Sequence, residues 1–351
     1  MDQVQEVLRE HIKAGEWGKF LPSERSLAER MNVGRTTLRQ ALAGLEKEGL
    51  IEHSRQGQRR KILARAPVSP PQRVRRVVLL SPYEPRRLSS FILREVDILR
   101  KLFNESQIRL DALSSKAFNV QRCSRILWRL THLESADLWI LQMAPRPMQS
   151  WFDQHREFPA MIIGYTFDGI SLPHVTEDIV AAARHSVGQL ALQGHRSIAL
   201  LTPASPLAGD IRVREAIEQD CRRVDIHVQR VVYKDAPRDL CASLDHALGT
   251  PQPPTALLTT MTSNVATCMT HLARRGLKVP DDISIISLLD DPSLDNLVPE
   301  VTRYTVNEDS FMRQVFVMAD KIMTGRKASY DPGRQIPEIA RGGTLGRGPG
   351  T

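Results

Sequence analysis

Short apolar runs alternate with amphipathic segments over most of the chain, from residue 76 onward. The apolar runs lie at 76–82, 138–145, 160–165, 197–203, 255–260 and 283–289. Their near-continuous apolar character is typical of strands in a parallel sheet that is covered on both faces. Helical patterns separate the runs, at 91–105, 120–133, 147–155, 179–193, 209–220, 239–248, 263–275 and 310–324. Strands that alternate with helices predict an α/β fold, and this span is long enough for two lobes.

The first 65 residues show a different pattern, with three helical segments followed by two short extended ones. The first helix is amphipathic, and Ser23 is a good N-cap for the second. The sequence "NVG" at 32–34 breaks the second helix, and Gly49 is placed to end the third. The following stretch predicts a small hairpin whose turn lies at 55–58. The pattern therefore predicts a small helical domain that carries a hairpin.

The third helix has an unusual polar face. Its apolar side chains recur at helical spacing on one side, at Leu38, Ala41, Leu42 and Leu45. Its N-terminal half otherwise offers hydrogen-bonding groups without an acid, at Arg35, Thr36, Thr37, Arg39 and Gln40. Arginine can fork to guanine and glutamine to adenine, and the second helix of a helix-turn-helix enters the major groove. This face predicts contact with double-stranded DNA.

The distribution of charge supports the same partner. The chain has 351 residues and a formal net charge of +8. No acid stands between Glu52 and Glu84. This stretch includes the predicted hairpin, where Arg55, Gln56, Arg59 and Arg60 are placed to reach the DNA backbone or a minor groove. A basic run is more often a solvated tail, and a polar helix face often meets only water. The missing acids and the adjacent hairpin favour DNA over that alternative.

The sequence divides into a small domain, a linker and a large domain. Residues 1–65 form the predicted DNA-binding domain, and the proline-rich stretch 66–75 is a semi-rigid spacer. Residues 76–345 form the predicted large α/β domain. The glycine-rich residues after 345 are expected to be frayed.

Cysteine use and hydropathy restrict the location of the protein. The four cysteines, Cys123, Cys221, Cys241 and Cys268, are too far apart in sequence for a metal knuckle, and they predict buried apolar positions in a reducing compartment. The N-terminus lacks the apolar segment of a signal peptide, and no window approaches the length of a membrane span. We therefore expect a cytoplasmic protein without a membrane partner.

The first domain resembles a known family. The sequence "LPSERSLAERMNVGRTTLRQALAGLEKEGLIEHSRQG" is similar to the winged helix-turn-helix of GntR-type bacterial regulators, and the likeness covers residues 4–63. The resemblance implies DNA contacts by Arg25, Arg35, Thr36, Thr37, Arg39, Arg55, Gln56 and Gly57. Two positions depart from the family. Gly34 replaces a usual serine, and a second glycine of the wing is replaced near Arg59.

The large domain resembles the two-lobed effector domain of LacI/GalR-type regulators, which has a periplasmic-binding-protein-like fold. Three segments carry the likeness, at 175–203, 253–291 and 297–326, and "GLKVPDDISII" is the most specific piece. The joined architecture resembles arabinose-repressor-type regulators. The resemblance implies that residues 76–345, after the winged helix-turn-helix, form a mostly parallel two-lobed α/β domain for effector binding and dimerisation.

The cleft of such a domain predicts where an effector binds. Ligands of open α/β sheets bind beyond the carboxyl ends of the strands. The predicted effector-binding residues are Ser81, Tyr83, Tyr165, Asp178, Ser263 and Asp290. The family's acidic residue is replaced at Thr262-Ser263, and its arginine aligns with Gly209, although Arg212 lies nearby. These departures leave open a sugar, a different small ligand, or a lobe without ligand.

Enzymatic motifs are absent from the sequence. It has no phosphate-binding loop of the GxxxxGK[ST] type and no HExxH zinc motif, and "GISLP" at 169–173 fails the pattern of a nucleophile elbow. We therefore predict a homodimeric transcriptional regulator, by default a repressor, that binds an operator under the control of a small effector and needs no cofactor or metal. The alternative is a solute-binding or enzymatic α/β protein with an accessory DNA-binding head.

Overall fold

A computed structural model describes most of the chain. The described residues are 2–13, 17, 20–31, 33–52, 59–63, 74–84, 89–119, 123–234, 236–326 and 335–349. They fall into two compact units, Met1–Val74 and Arg75–Thr351. Of the predicted linker at 66–75, only residues 74 and 75 are described.

The first unit is built on three helices, α1 (Asp2–Lys13), α2 (Glu24–Met31) and α3 (Arg35–Lys47). Their apolar faces meet in one core, which contains the fully buried side chains of Leu8, Leu27, Leu38, Leu42 and Leu45. Ile51 pairs with Ile62 in an antiparallel bridge, and Phe20 pairs with Lys61. These bridges lie at the base of the predicted hairpin, whose turn at 55–58 is outside the described residues.

The second unit begins with a five-stranded parallel sheet in the order β2-β1-β3-β4-β5. Its strands are β1 (Arg76–Ser81), β2 (Arg109–Ser114), β3 (Leu138–Gln142), β4 (Ala160–Ile163) and β5 (His174–Val175). Its helices are α4 (Ser90–Glu105), α5 (Ser124–Leu133) and α6 (Arg146–Gln154). The central strands are buried on both faces, as parallel strands under two layers of helices should be. We call this sheet and its helices the first lobe.

The second lobe is a six-stranded sheet in the order β11-β10-β9-β8-β6-β7, parallel except for the β10–β11 pair. Its strands are β6 (Ser197–Pro203), β7 (His227–Tyr233), β8 (Ala256–Thr259), β9 (Ser284–Ser287), β10 (Thr302–Thr305) and β11 (Glu338–Ala340). The helices in this part of the sequence are α7 (Ile179–Leu192), α8 (Ala208–Arg223), α9 (Pro237–Leu248), α10 (Ser263–Arg274) and α11 (Glu308–Met323).

The chain passes between the two lobes at three places. The first crossing joins β5 to α7, the second joins β10 to α11, and the third returns from α11 to β11. Helix α11 follows a strand of the second lobe but packs in the core of the first, through Phe311, Met312 and Val315. The first and third crossings are hydrogen-bonded, because the Asp178 N–H donates to the Gln335 carbonyl at 2.7 Å.

The predicted fold class is confirmed, and each predicted apolar run of the large domain contains a strand. The hydrophobic pattern missed five strands, β2, β5, β7, β10 and β11. The longer two, β2 and β7, lie at sheet edges, and about half of their side chains face water. The prediction of a frayed tail after 345 is wrong. The Gly348 N–H donates to the Gln193 carbonyl at 2.8 Å, and the His195 ring contacts the Gly346 carbonyl at 3.2 Å.

Two glycine substitutions test the packing of this tail. A Cβ on Gly348 would lie 2.7 Å from the backbone of Gly194, so we expect Gly348→Ala to lower the free energy of unfolding by about 1–3 kcal/mol. A Cβ on Gly188, within α7, would meet no atom within 4 Å, and Gly188→Ala should stabilise by about 0.5–1 kcal/mol. Urea unfolding of both variants measures the two effects. A neutral Gly348→Ala would mean that the tail is frayed after all.

Candidate functional site

The outer face of α3 is the first candidate site, and it exposes polar side chains at the N-terminal half of the helix. Four predicted DNA-contacting residues are exposed there, Arg35, Thr36, Arg39 and Gln40, and Thr37 is half-buried. The opposite face is buried in the core, and the first turn contains no acidic residue. Gly34 gives the helix no side-chain cap, so this part of the helix presents cationic side chains beside uncapped amide groups.

The remaining predicted DNA contacts lie around this face. Arg25, on α2, and Arg59, at the returning arm of the hairpin, are both exposed. Arg55, Gln56 and Gly57 lie outside the described residues. The structure therefore brings cationic side chains of α2, α3 and the hairpin arm into one small unit.

An ion-pair network connects these elements through Glu24, at the start of α2. Arg39 Nε lies 2.9 Å from one Glu24 oxygen, and an Arg60 nitrogen lies 2.8 Å from the other. Arg60 Nε also contacts Glu46 Oε1 on α3 at 2.7 Å. Hydrogen bonds from Arg60 and Arg39 lower the pKa of Glu24 below its ordinary value.

Arg60 is therefore a structural residue, whereas the sequence placed it beside Arg59 on the DNA-facing hairpin. Only 18% of its side chain is exposed, and its guanidinium joins the hairpin arm to α2 and α3. Arg39 also bonds to Glu24, but 67% of its side chain remains exposed. The acid thus orients Arg39 on the surface without covering it.

The network predicts different effects of two neighbouring substitutions. Arg60→Met removes the ion pairs that join the hairpin arm to Glu24 on α2 and to Glu46 on α3, so it should weaken the first unit by about 1–3 kcal/mol. Arg59→Met removes an exposed side chain and should change stability by less than about 0.5 kcal/mol. Hydrogen exchange of the α2 and α3 amides measures both. Equal protection in the two variants would contradict the structural role of Arg60.

The second candidate site is a cavity of about 470 Å³ in the cleft between the two lobes of the second unit. Its size suits a small molecule. Three predicted effector-binding residues line it, Tyr165, Ser263 and Asp290. Most of its wall is apolar, from Phe91, Ile92, Met143, Ala144, Ile162, Ile163, Ile179, Leu207, Ala208, Met261, Leu289 and Phe311.

The other three predicted effector residues, Ser81, Tyr83 and Asp178, do not line this cavity. Ser81 is buried, and its hydroxyl accepts a hydrogen bond from the Tyr83 N–H at 3.3 Å. Asp178 caps α7 by accepting from the Ala181 N–H at 3.0 Å, and the Tyr165 hydroxyl donates to it at 3.5 Å. Asp178 therefore lies behind the cavity wall that Tyr165 forms.

The two aspartates that follow β9 have different roles. Asp290 lines the cavity, and its carboxylate lies 2.7 Å from Arg303 Nε. Asp291 accepts from the Ser90 hydroxyl at 2.7 Å and from the Phe91 N–H at 3.0 Å. Ser90 and Phe91 begin α4, so Asp291 links the second lobe to the first. These hydrogen bonds lower its pKa, although burial opposes them.

Gly209 and Arg212 occupy different places relative to the cavity. Gly209 lines it, at the position where the resemblance expects an arginine. Arg212 instead donates to the Thr166 carbonyl at 3.3 Å and pairs with Asp168 at 3.2 Å. The nearby arginine therefore does not replace the missing one in the cavity lining.

Sequence reasoning missed two buried glutamates of the cavity, Glu95 on α4 and Glu177 at the first crossing. Glu95 accepts a hydrogen bond from Gln142 Nε2 at 3.1 Å. Burial raises the pKa of Glu95 well above its ordinary value, and repulsion by Glu177 and Glu308 adds to this. Burial also raises the pKa of Glu177 to about 7, with further repulsion from Glu308 and Asp290. A glutamate on the apolar side of an amphipathic helix, as in "REVDILRKL", was the available signal for Glu95.

A further acid, Asp210, lies at the start of α8. Its carboxylate accepts from the Leu207 N–H at 2.9 Å and from the Thr260 hydroxyl at 2.8 Å, and burial raises its pKa. The cavity lining thus has four carboxyl groups, on Glu95, Glu177, Asp210 and Asp290, and no Lys, Arg or His among its described residues. Within the described chain, no three His, Cys, Asp or Glu side chains are grouped for a metal ion.

The pKa of Glu177 predicts a pH-dependent stability. Because this pKa is higher in the folded protein than in the unfolded chain, Glu177 supports folding below about pH 4.5 and this support is lost as the pH rises through about 7. Glu177→Gln should therefore stabilise the second unit more at high pH, with a gain that grows by about 2 kcal/mol between about pH 5 and pH 8. Urea unfolding at the two pH values measures this. Glu157→Gln, at an exposed position, should show no comparable trend, and an equal gain at both pH values would contradict the role of Glu177.

Two α/β lobes joined by three crossings, with a cavity in the cleft, define the periplasmic-binding-protein-like class. Residues 187–345 match the family described as "Periplasmic binding protein-like domain", and residues 1–59 match "Bacterial regulatory proteins, gntR family". The chain therefore joins a GntR-type N-terminal domain to a periplasmic-binding-protein-like domain. No helix among the described residues is long and apolar enough to span a membrane.

Two transcriptional repressors are similar to parts of the chain. The HTH-type transcriptional repressor NanR of Enterobacter sp. (strain 638) is 47% identical over 53 residues, which cover 14% of this chain and 20% of that protein. The repressor CytR of Escherichia coli K12 is 28% identical over 144 residues, 40% of this chain and 42% of CytR. The chain thus matches less than half of each relative.

A solved structure matches the second unit in fold. A LacI family transcriptional regulator from Bifidobacterium animalis subsp. lactis aligns with a TM-score of 0.68 and 18% identity. The alignment covers 78% of this chain and 99% of that structure. At this identity the similarity establishes the fold.

Proposed function

We propose that the protein is a transcriptional regulator that binds a specific DNA site through its first unit and a small effector through the cleft of its second. The observation that carries this proposal is the outer face of α3, where Arg35, Arg39 and Gln40 are exposed on a helix whose other face is buried. The similarity of parts of the chain to NanR and to CytR, both repressors, supports it. No enzymatic activity is proposed.

The first unit binds DNA with α3 in the major groove. Arg35, Arg39 and Gln40 contact base edges, where each good bidentate pair contributes about 1–3 kcal/mol of discrimination. Thr36 and Thr37 lie in the first turn, where hydroxyl and amide groups suit phosphate oxygens. The exposed Arg25 and Arg59 contact phosphates. DNA contact by Arg55, Gln56 and Gly57 stays a prediction from the sequence.

The second unit controls the first. The protein acts in the cytoplasm as a homodimer, so that two heads bind a pseudo-palindromic operator. An effector in the cleft contacts both lobes, because residues of α4 and of the loop after β9 line the same cavity. Closure of the lobes around it shifts operator affinity if the two states bind the effector unequally, with a coupling of about 1–3 kcal/mol. A sugar effector stays a prediction, as does repression rather than activation.

Alanine substitutions distinguish the side chains that contact bases from those that contact phosphates. Genomic fragments captured by the purified protein supply the operator, and competition against random duplex measures preference. We expect Arg35→Ala and Arg39→Ala to abolish this preference, since each removes a base-contacting side chain. Arg59→Ala should instead weaken binding to all sequences and reduce the salt slope by about 1.

A matched control comes from the second unit. Arg223→Ala, at an exposed position of α8, removes the same charge and should leave both preference and salt slope unchanged. Unfolding of the second unit should be identical in all four variants. Retention of full operator preference by Arg35→Ala and Arg39→Ala would exclude α3 as the base-reading helix.

A further inference from the structure

The carboxyl groups of the cleft differ in how many hydrogen-bond and ion-pair partners the protein gives them. Asp290 is paired with Arg303, and Asp210 accepts two hydrogen bonds from Leu207 and Thr260. Glu177 is only 9% exposed, and its Oε1 has no hydrogen-bond partner. Of these three acids, Glu177 is therefore the one that the protein compensates least. It lies where the chain first crosses between the lobes, a place that we call the base of the cleft.

A neutral side chain beside these acids gives a second, independent observation. Gln142 lines the same cavity and is 2% exposed, and its amide donates to Glu95. Its Oε1 is buried without a partner. A buried acceptor without a donor costs about 1–3 kcal/mol, so two such acceptors on residues that line one cavity favour a ligand that donates hydrogen bonds.

The charge of that ligand follows from the electrostatics of the cleft. A carboxylate or phosphate would meet Glu95 and Glu177 with no described cationic side chain in the lining to offset the repulsion. A hydroxyl group supplies donors but leaves the carboxylate charge uncompensated. An ammonium group supplies three donors and the opposite charge.

The walls of the cavity specify the rest of the ligand. Phe91, Ile162 and Phe311 are among the apolar side chains that surround the acids. A hydrated metal ion would leave these surfaces unused, whereas a carbon skeleton buries them favourably. The cleft thus combines acidic side chains at its base with apolar side chains along its walls.

We propose that the effector cleft takes a small organic amine, with its ammonium group against Glu177, Glu95 and Gln142 and its carbon skeleton against the apolar walls. This inference rests on the proposed function, since it names the ligand class of the same cleft. An amino sugar and an aromatic amine both satisfy it. A neutral sugar, a carboxylate and a divalent metal ion do not.

Two matched series of probes test the charge of the ligand. Glucosamine, glucose and glucuronate vary the charge on a sugar, and benzylamine, benzyl alcohol and benzoate vary it on an aromatic ring. Calorimetric titration of the full chain measures each Kd, with magnesium and calcium chloride as separate arms. We expect the amine to bind at least about tenfold more tightly than its neutral analogue in one or both series, and the anion to bind weakest.

Substitutions place the binding at the base of the cleft. Glu177→Gln and Glu95→Gln keep the side-chain shape and remove the carboxyl group with which an ammonium group would pair. Each should therefore weaken amine binding by about 10–100-fold and leave neutral analogues within about twofold. Glu157→Gln, an exposed control, should bind the amine like the unchanged protein. Circular dichroism confirms folding of each variant.

Defined outcomes overturn the inference. They are equal or tighter binding of the neutral or anionic member in both series, calorimetric binding of a divalent metal in the cleft, and no amine binding at millimolar concentration. Retention of operator DNA by the same preparation without probe is measured in parallel. If the preparation does not retain operator DNA, the proposed function is refuted. If it retains operator DNA but binds a ligand that is not an amine, only the ligand class is refuted.

Discussion

The constraint on which the second unit depends is that its chain must cross between two lobes beside the cavity. The backbone hydrogen bond from Asp178 to Gln335 ties two crossings together, and Glu177 lies next to it within the first. A side chain at this place belongs to neither lobe alone. Glu177 lines the cavity and belongs to one of the segments that connect the lobes. A ligand that pairs with Glu177 would therefore affect the cavity and these connecting segments together.

A second set of interactions connects the two lobes beside the cleft. Asp291 accepts from the first residues of α4, and its neighbour Asp290 is held by Arg303 while it faces the cavity. The two adjacent aspartates thus have different roles, since Asp291 joins the lobes and Asp290 remains in the cavity lining. Helix α11 adds a third connection, because it leaves the second lobe after β10 and packs its apolar face in the first. Lobe movement therefore has to be relayed through a few short segments.

The sequence predicted the fold well because its signals are local. Buried parallel strands such as β1 and β8 read as continuous apolar runs, and the face of α3 follows directly from helical spacing. Edge strands and the tail were missed for one reason, since their structure depends on partners far away in sequence. Gly348 is ordered by the backbone of Gln193, and β7 pairs with β6 although half of its side chains face water.

The residues of the candidate cleft were predicted only in part, because the environment of its buried acids forms only in the folded structure. The sequence assigned Tyr165, Ser263 and Asp290 from their places after strands or within motifs, and these residues line the cavity. Glu95 sits in the middle of a helix with no motif around it, and its environment becomes visible only when α4 and the first crossing meet. Burial on folding raises the pKa of both Glu95 and Glu177, and repulsion by Glu177 adds to the shift of Glu95. Because folding buries these acids at the expense of stability, a ligand that neutralises them recovers free energy that the protein alone cannot.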